Sequence, residues 1–201
     1  MQINFRGSTG FGKEFWEAGF KQWGLKMQDD VTDGVEWLIK QGIADPDRIA
    51  IMGDSYGGFS ALTGAYQNPG LYKCCVSRSG ILDIKTFLNS IPEHWEPFKE
   101  MLYQTVGDPV KDEEMLKSVS PFYNADKIAV PVMMAYGARD TKVPISLVKK
   151  MIQRMKENGT TVEIMIKNDE GHVYRRDANR IEYFERLEKF LAKYLKGTPQ
   201  I

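Results

Sequence analysis

The sequence predicts an α/β fold, a mostly parallel sheet flanked by helices. Three observations carry this reading. Short apolar, strand-like runs alternate with helical periodicities along the whole chain, Gly42 and Gly159 close two of those periodicities, and Gly-Asp-Ser-Tyr-Gly at residues 53–57 stands between an apolar run and a helix start. Taken in order, Asn4 and Phe5 lie in a short first strand. Met27, Val31, Val35, Leu38 and Ile39 recur at helical spacing, ended by Gly42 and the Asp45-Pro46 turn. Residues 49–52 form a second strand, residues 74–77 a third, residues 132–136 a fourth entered through Pro131, and residues 162–166 a fifth. Leu147, Val148, Met151, Ile152 and Met155 mark the apolar face of one helix, with Met151 and Met155 as core filler. Ile181, Phe184, Leu187, Leu191 and Leu195 mark the face of the last helix. Residues 81–123 are less periodic and hold Trp95, Phe98, Met101, Leu102 and Met115 among charges, which reads as an excursion of short helices covering the sheet as a lid.

With 201 residues, 42% hydrophobic, and no break in composition, the chain is expected to form one domain spanning residues 1–201. Lys plus Arg equals Asp plus Glu at 27 each, so no charged field draws nucleic acid. No signal-like segment opens the chain and no apolar run reaches the ~18 residues of a membrane span, so neither membrane nor secretion is expected. The two cysteines, Cys74 and Cys75, are adjacent in a strand, where their side chains point to opposite faces and a mutual bridge would be strained. They read as reduced core residues of a cytoplasmic protein.

The pentapeptide is a nucleophile elbow. A serine held between a buried strand and a helix takes a strained backbone conformation, and Gly53 and Gly57 leave room for strand and helix to approach each other. The hydroxyl of Ser55 is thereby presented at the tip. A serine hydroxyl needs a base to take its proton and a carboxylate to orient that base. Of the two histidines, His172 follows the fifth strand directly, whereas His94 sits in the irregular excursion and reads as a surface or lid residue. Reactive groups of an open parallel sheet gather at the carboxyl ends of its strands, which favours His172. The same rule, with the order serine, acid, histidine, favours Asp140 in Gly137-Ala138-Arg139-Asp140 as the carboxylate. Asp169 and Glu170 are too near His172 in sequence to reach its far nitrogen without a tight fold-back and read as solvated loop residues, while Asp83 and Asp126 read as turn or capping residues.

Taken together these segments resemble the catalytic domain of the prolyl oligopeptidase family of serine peptidases, an α/β-hydrolase fold. Asn4 through Gly12 resembles that family's N-x-R-G-S-x-G-Y-G segment, Asp33-Gly34-Val35 its following helix, residues 53–58 its elbow, Gly137 through Asp140 with Val143 its acid loop, and Glu170-Gly171-His172 its histidine loop. The resemblance implies a hydrolase of peptide or small acyl and ester substrates, with Ser55, Asp140 and His172 as catalytic residues, the Tyr56 backbone N–H as an oxyanion donor and Val143 in the substrate site. The dipeptidyl and acylaminoacyl peptidase branches are the most similar. It implies no cofactor and no metal.

Three departures from the family pattern stand out. The β-propeller that precedes this domain in family members is absent from the sequence. The opening strands of the hydrolase domain, with the Gly-rich loop that supplies a second oxyanion donor, are missing too. Proline-cleaving relatives carry an aromatic cluster where this chain has Ser79, Gly80, Ile81 and Leu82. Loss of one oxyanion donor costs on the order of 100- to 1,000-fold in rate, so slow turnover is expected. The alternative is an inert hydrolase-fold piece completed by another segment or chain. A sheet lacking its first strands exposes an edge, and a homodimer through residues 2–5 is expected. Gly7 through Lys13 nearly spells a phosphate-binding loop, but Glu14 stands where a Ser or Thr must hold magnesium, which argues against nucleotide binding. Two distant histidines and two core cysteines offer no metal-ligand spacing.

Overall fold

A computed structural model describes residues 1–91 and 93–196, with the backbone alone at Glu93 and His94. Four strands, β1 Ala50–Asp54, β2 Cys74–Arg78, β3 Val132–Gly137 and β4 Val162–Lys167, pair in sequential order and all in parallel. Around them run α1 Lys13–Glu17, α2 Lys26–Lys40, α3 Tyr56–Gln67, α4 Ile84–Asn89, α5 Lys99–Thr105, α6 Glu113–Val119, α7 Ile145–Glu157 and α8 Asp177–Leu195. The inner strands β2 and β3 are buried along nearly their whole length and rich in Val, Met and Cys, as burial on two sides demands, whereas β1 and β4 at the edges are only partly buried.

Alternate residues of each strand feed opposite layers. Ile51, Cys75, Val132, Met134 and Tyr136 join the main core with Phe59 and Leu62 of α3 and Val148, Met151 and Met155 of α7. Cys74, Val76, Met133 and Ala135 face the other way, onto Tyr183, Leu187 and Phe190 of α8. Both cysteines are free and buried, back to back, and burial pushes the Cys74 thiol up to about 11. The excursion is built as expected from short helices, with Asp83 capping α4 by accepting from the Lys85 and Thr86 N–H groups.

Two expectations fail. Residues 1–5 form no strand: Ile3 packs against Gly34 of α2, and the Phe5 ring lies 5.2 Å from that of Tyr56. A strand needs a partner, and here side-chain packing and the Arg6–Asp30 ion pair hold the segment instead. The edge assigned to residues 2–5 is therefore not a strand edge. The face of α8 differs in part: the expected Leu187 is buried and Leu191 and Leu195 pack against the same core, but Ile181 and Phe184 are 58% and 55% exposed, and Asn179, Tyr183 and Phe190 are buried instead. Tyr183 and Phe190 rotate the start of the stripe away from Ile181 and Phe184 while the three leucines keep to it.

Among the buried and half-buried tyrosines, desolvation raises Tyr66, Tyr72 and Tyr183 to about 12 and pushes Tyr56, Tyr136 and Tyr174 higher still. An unfolded chain ionises its phenols near pH 10. Folding stability from these groups is thus complete below about pH 10 and is lost as pH rises toward the folded values near 12. The chain is expected to unfold cooperatively above about pH 10, with phenolate absorbance at 295 nm rising together with loss of far-ultraviolet dichroism. Titration of all the tyrosines near 10 with intact dichroism would contradict the burial described here.

Candidate active site

Ser55 follows β1 at the N-cap of α3 and adopts φ 54°, ψ −115°, the strained geometry of a strand-to-helix elbow. Gly53 is needed there because a Cβ would meet the Gly57 backbone, 2.7 Å from its Cα. At Gly57, by contrast, a Cβ meets no atom within 4 Å, so the requirement is one-sided. The second close approach lies at Gly58, where a Cβ would come within 2.7 Å of the Gly80 Cα. Gly53→Ala is expected to lower the melting temperature by an amount equivalent to about 1–3 kcal/mol, with Gly57→Ala near neutral in the same melt. Equal melts for the two variants would show that the clash is absorbed elsewhere.

Below the elbow a buried polar network ties α3 to β2 and β3. Tyr136 Oη donates to the Gly80 carbonyl at 3.0 Å and lies 3.2 Å from Ser77 Oγ, which donates to the Gly58 carbonyl at 3.1 Å. Beside the elbow, Arg78 forms a two-pronged pair with Asp54 and lays its guanidinium 4.8 Å from the centre of the Tyr183 ring.

Asp140 lies beyond the carboxyl end of β3 and His172 beyond that of β4, so both come to the end of the sheet that carries Ser55. The Asp140 side chain is fully buried. Its Oδ1 accepts from the Lys142 N–H at 2.8 Å and the Val143 N–H at 3.1 Å. Its Oδ2 lies 2.8 Å from His172 Nδ1, and His172 Nε2 lies 2.8 Å from Ser55 Oγ. A carboxylate only accepts, so in the neutral ring Nδ1 carries the proton and donates, leaving Nε2 to accept from the Ser55 hydroxyl. The Tyr56 N–H is at the first turn of α3, where the helix itself offers no carbonyl partner. Burial raises the Tyr56 phenol, and its ring packs 4.7 Å from that of Trp23.

Residues 55, 140 and 172 are thus brought into one hydrogen-bonded chain, and the Tyr56 N–H adjoins it. Val143, expected in the substrate site, is 2% exposed with its side chain in the main core. Its described contribution is the N–H held by Asp140. The rival histidine, His94, has its side chain outside the described residues. Glu170 is the larger correction: far from being solvated, it is 3% exposed and accepts from Arg175 N–H, Arg176 N–H and Asn179 Nδ2. A buried carboxylate needs such donors, and the turn into α8 supplies them from residues five, six and nine positions on. An acid followed at that distance by a helix start was the available signal. Asp169 pairs with Arg176 at 2.9 Å.

Two hollows mark the described surface, the first of them beside His172. One of about 490 Å³ is bordered by His172, Val173, Arg175 and Arg176. The other, about 350 Å³ and apolar, is lined by Trp95, Phe98, Met101 and Leu102 in the excursion, where Trp95 sits 5.0 Å from Lys142 Nζ. Among the described residues, no cluster of His, Cys, Asp and Glu has the makings of a metal site, and no helix is long and apolar enough to cross a membrane.

A parallel sheet with an elbow serine at its carboxyl edge defines an α/β-hydrolase fold, and solved structures agree. A Mycobacterium tuberculosis puromycin-hydrolyzing peptidase superposes with a TM-score of 0.92 at 27% identity, over 99% of this chain and 30% of that one. A Pyrococcus horikoshii acylaminoacyl peptidase superposes with a TM-score of 0.85, at 23% identity, over 99% of this chain and 32% of its own. The chain belongs to the prolyl oligopeptidase family of peptidases, whose profile matches residues 1–198. It is similar to dipeptidyl aminopeptidase BIII of Pseudoxanthomonas mexicana, 38% identical over all of this chain and 29% of that protein, and to dipeptidyl peptidase family member 6 of Caenorhabditis elegans, 36% identical over all of this chain and 27% of that protein. The chain therefore spans less than a third of the length of these curated relatives.

Proposed function

We propose that the chain carries the hydrolytic centre of a serine peptidase that works through an acyl-enzyme. Ser55 Oγ attacks a peptide or ester carbonyl while its proton passes to His172 Nε2. The tetrahedral oxyanion forms beside the Tyr56 N–H. The bond to the leaving group breaks as His172 returns the proton to it, and water repeats the sequence to release the acid. Asp140 holds the ring in the required tautomer and stabilises the imidazolium that forms. The observation that carries this reading is the unbroken hydrogen-bonded chain from Asp140 Oδ2 through His172 to Ser55 Oγ, 2.8 Å at each step. Family membership and the names of the relatives favour peptides as the substrate class.

The test is covalent. A fluorophosphonate should label Ser55 stoichiometrically in the full chain, and labelling should vanish in Ser55→Ala and slow by about 1,000-fold or more in His172→Ala. Folded protein that resists the reagent would instead mark an inert piece of the fold. Activated esters are expected to turn over ahead of peptides, because a better leaving group asks less of oxyanion stabilisation.

A further inference from the structure

We propose that Glu170 is a positioning residue for this centre: its buried carboxylate folds the histidine loop back on itself and locks it across the acid loop. The inference rests on the proposed role of His172. The Glu170 Oε2 atom accepts from the Arg175 N–H at 2.9 Å, and Oε1 accepts from the Arg176 N–H at 2.9 Å and from Asn179 Nδ2 at 2.8 Å. The segment that contains His172 is therefore closed into a ring, pinned at one end by the strand β4 and at the other by the start of α8. Asn179, itself buried, reaches both acids, since its Nδ2 also lies 3.2 Å from Asp169 Oδ1.

The main chain of the same residue makes the second connection. The Glu170 carbonyl accepts from the Arg139 N–H at 2.9 Å, one residue before Asp140. Gly137 lies so close under it that a Cβ there would overlap the carbonyl oxygens of both Glu170 and Gly171. One side chain thus shapes the loop, and the adjoining backbone docks that loop on the segment bearing its partner acid. Burial opposes charge on this carboxyl, yet the hydrogen bonds from Asn179 and the two N–H groups, with the nearby Arg176, outweigh it and hold the group below the ordinary Glu range. An ionised carboxylate has two acceptor oxygens, and both are in use. A Gln side chain would turn an NH2 toward one of those N–H groups.

The experiment compares the parent chain with Glu170→Ala, Glu170→Gln and Asn179→Ala. Rates on an activated ester are normalised to sites titrated with fluorophosphonate, so unfolded molecules do not count. Glu170→Ala should lower kcat per titrated site by about 100-fold with KM within about twofold, as a small misplacement of the imidazole would, and Glu170→Gln should lose nearly as much. The low-field His172 Nδ1 proton, observed by NMR, should be lost or exchange at least tenfold faster in both variants. A normalised kcat within about threefold of the parent, or a change confined to KM, would overturn the proposal. So would a His172 Nδ1 signal that survives the loss of the carboxylate. Should the Glu170 variants fail to fold, Asn179→Ala removes one donor and keeps the acid: a tenfold fall in kcat supports the role, and parental kcat refutes it. If the parent hydrolyses no ester, the peptidase reading falls, and the NMR comparison still decides the part played by Glu170.

Discussion

Asp140→Asn is expected to slow ester hydrolysis by roughly 10⁴-fold, the loss seen when the orienting acid of a Ser-His-Asp centre becomes an amide, with KM changed by no more than about twofold. The direction follows from the donors around the side chain. Oδ1 faces the Lys142 and Val143 N–H groups, so an amide must keep its oxygen there and turn its NH2 to the histidine. His172 Nδ1 would then have to accept, which moves the ring proton to Nε2 and leaves nothing to take the proton from Ser55. The serine would stay in place, 2.8 Å from the imidazole, facing a donor. Single-turnover ester kinetics check this, and a rate within about tenfold of the parent would mean that another group orients the ring.

Gly137→Ala should also slow the reaction, less severely and by a different route. A methyl at this position would fall 2.6 Å from the Glu170 carbonyl carbon and closer still to the carbonyl oxygens of residues 170 and 171. No flexible side chain yields there, because the obstacle is backbone. The histidine loop must lift from the end of β3, and a displacement of about 1 Å suffices for about 100-fold in rate. Thermal melts should show a loss of about 1–3 kcal/mol, and kcat per titrated site should fall further than the melt explains. Parental activity in a folded variant would show that the two loops tolerate separation.

Much of this arrangement was legible in the residues. Ser55, Asp140 and His172 each follow an apolar run at a distance that places them at the carboxyl end of a parallel strand, and that rule depends on topology alone. The helical face of α7 was likewise readable, because Val148, Met151, Ile152 and Met155 are aliphatic and regular, whereas on α2 only Met27 of the expected set is buried, with Val31 and Val35 partly buried against the core. Failures came where a different interaction outweighed the pattern. Phe5 belongs to a strand-like pair of residues but finds an aromatic partner in Tyr56 rather than a neighbouring strand. Tyr183 and Phe190, not Ile181 and Phe184, decide the buried stripe of α8. Glu170 was hard to read because its burial depends on donors five to nine residues later, and the helix start that follows it is the one local hint of the turn that brings them back. Gly58, in the first turn of α3, and Gly80, just past the end of β2, touch, a proximity that no local spacing encodes.

The paired thiols of β2 offer a use of their own. Cys74 is covered by the α8 layer and Cys75 by the α3 and α7 layer, with only one peptide unit between them. A thiol reagent applied during mild denaturation therefore reports on two walls of the molecule separately, through modification at 74 when the C-terminal helix peels away and at 75 when the opposite side gives. Peptide mapping of the first-modified cysteine would reveal the order in which this sheet is stripped.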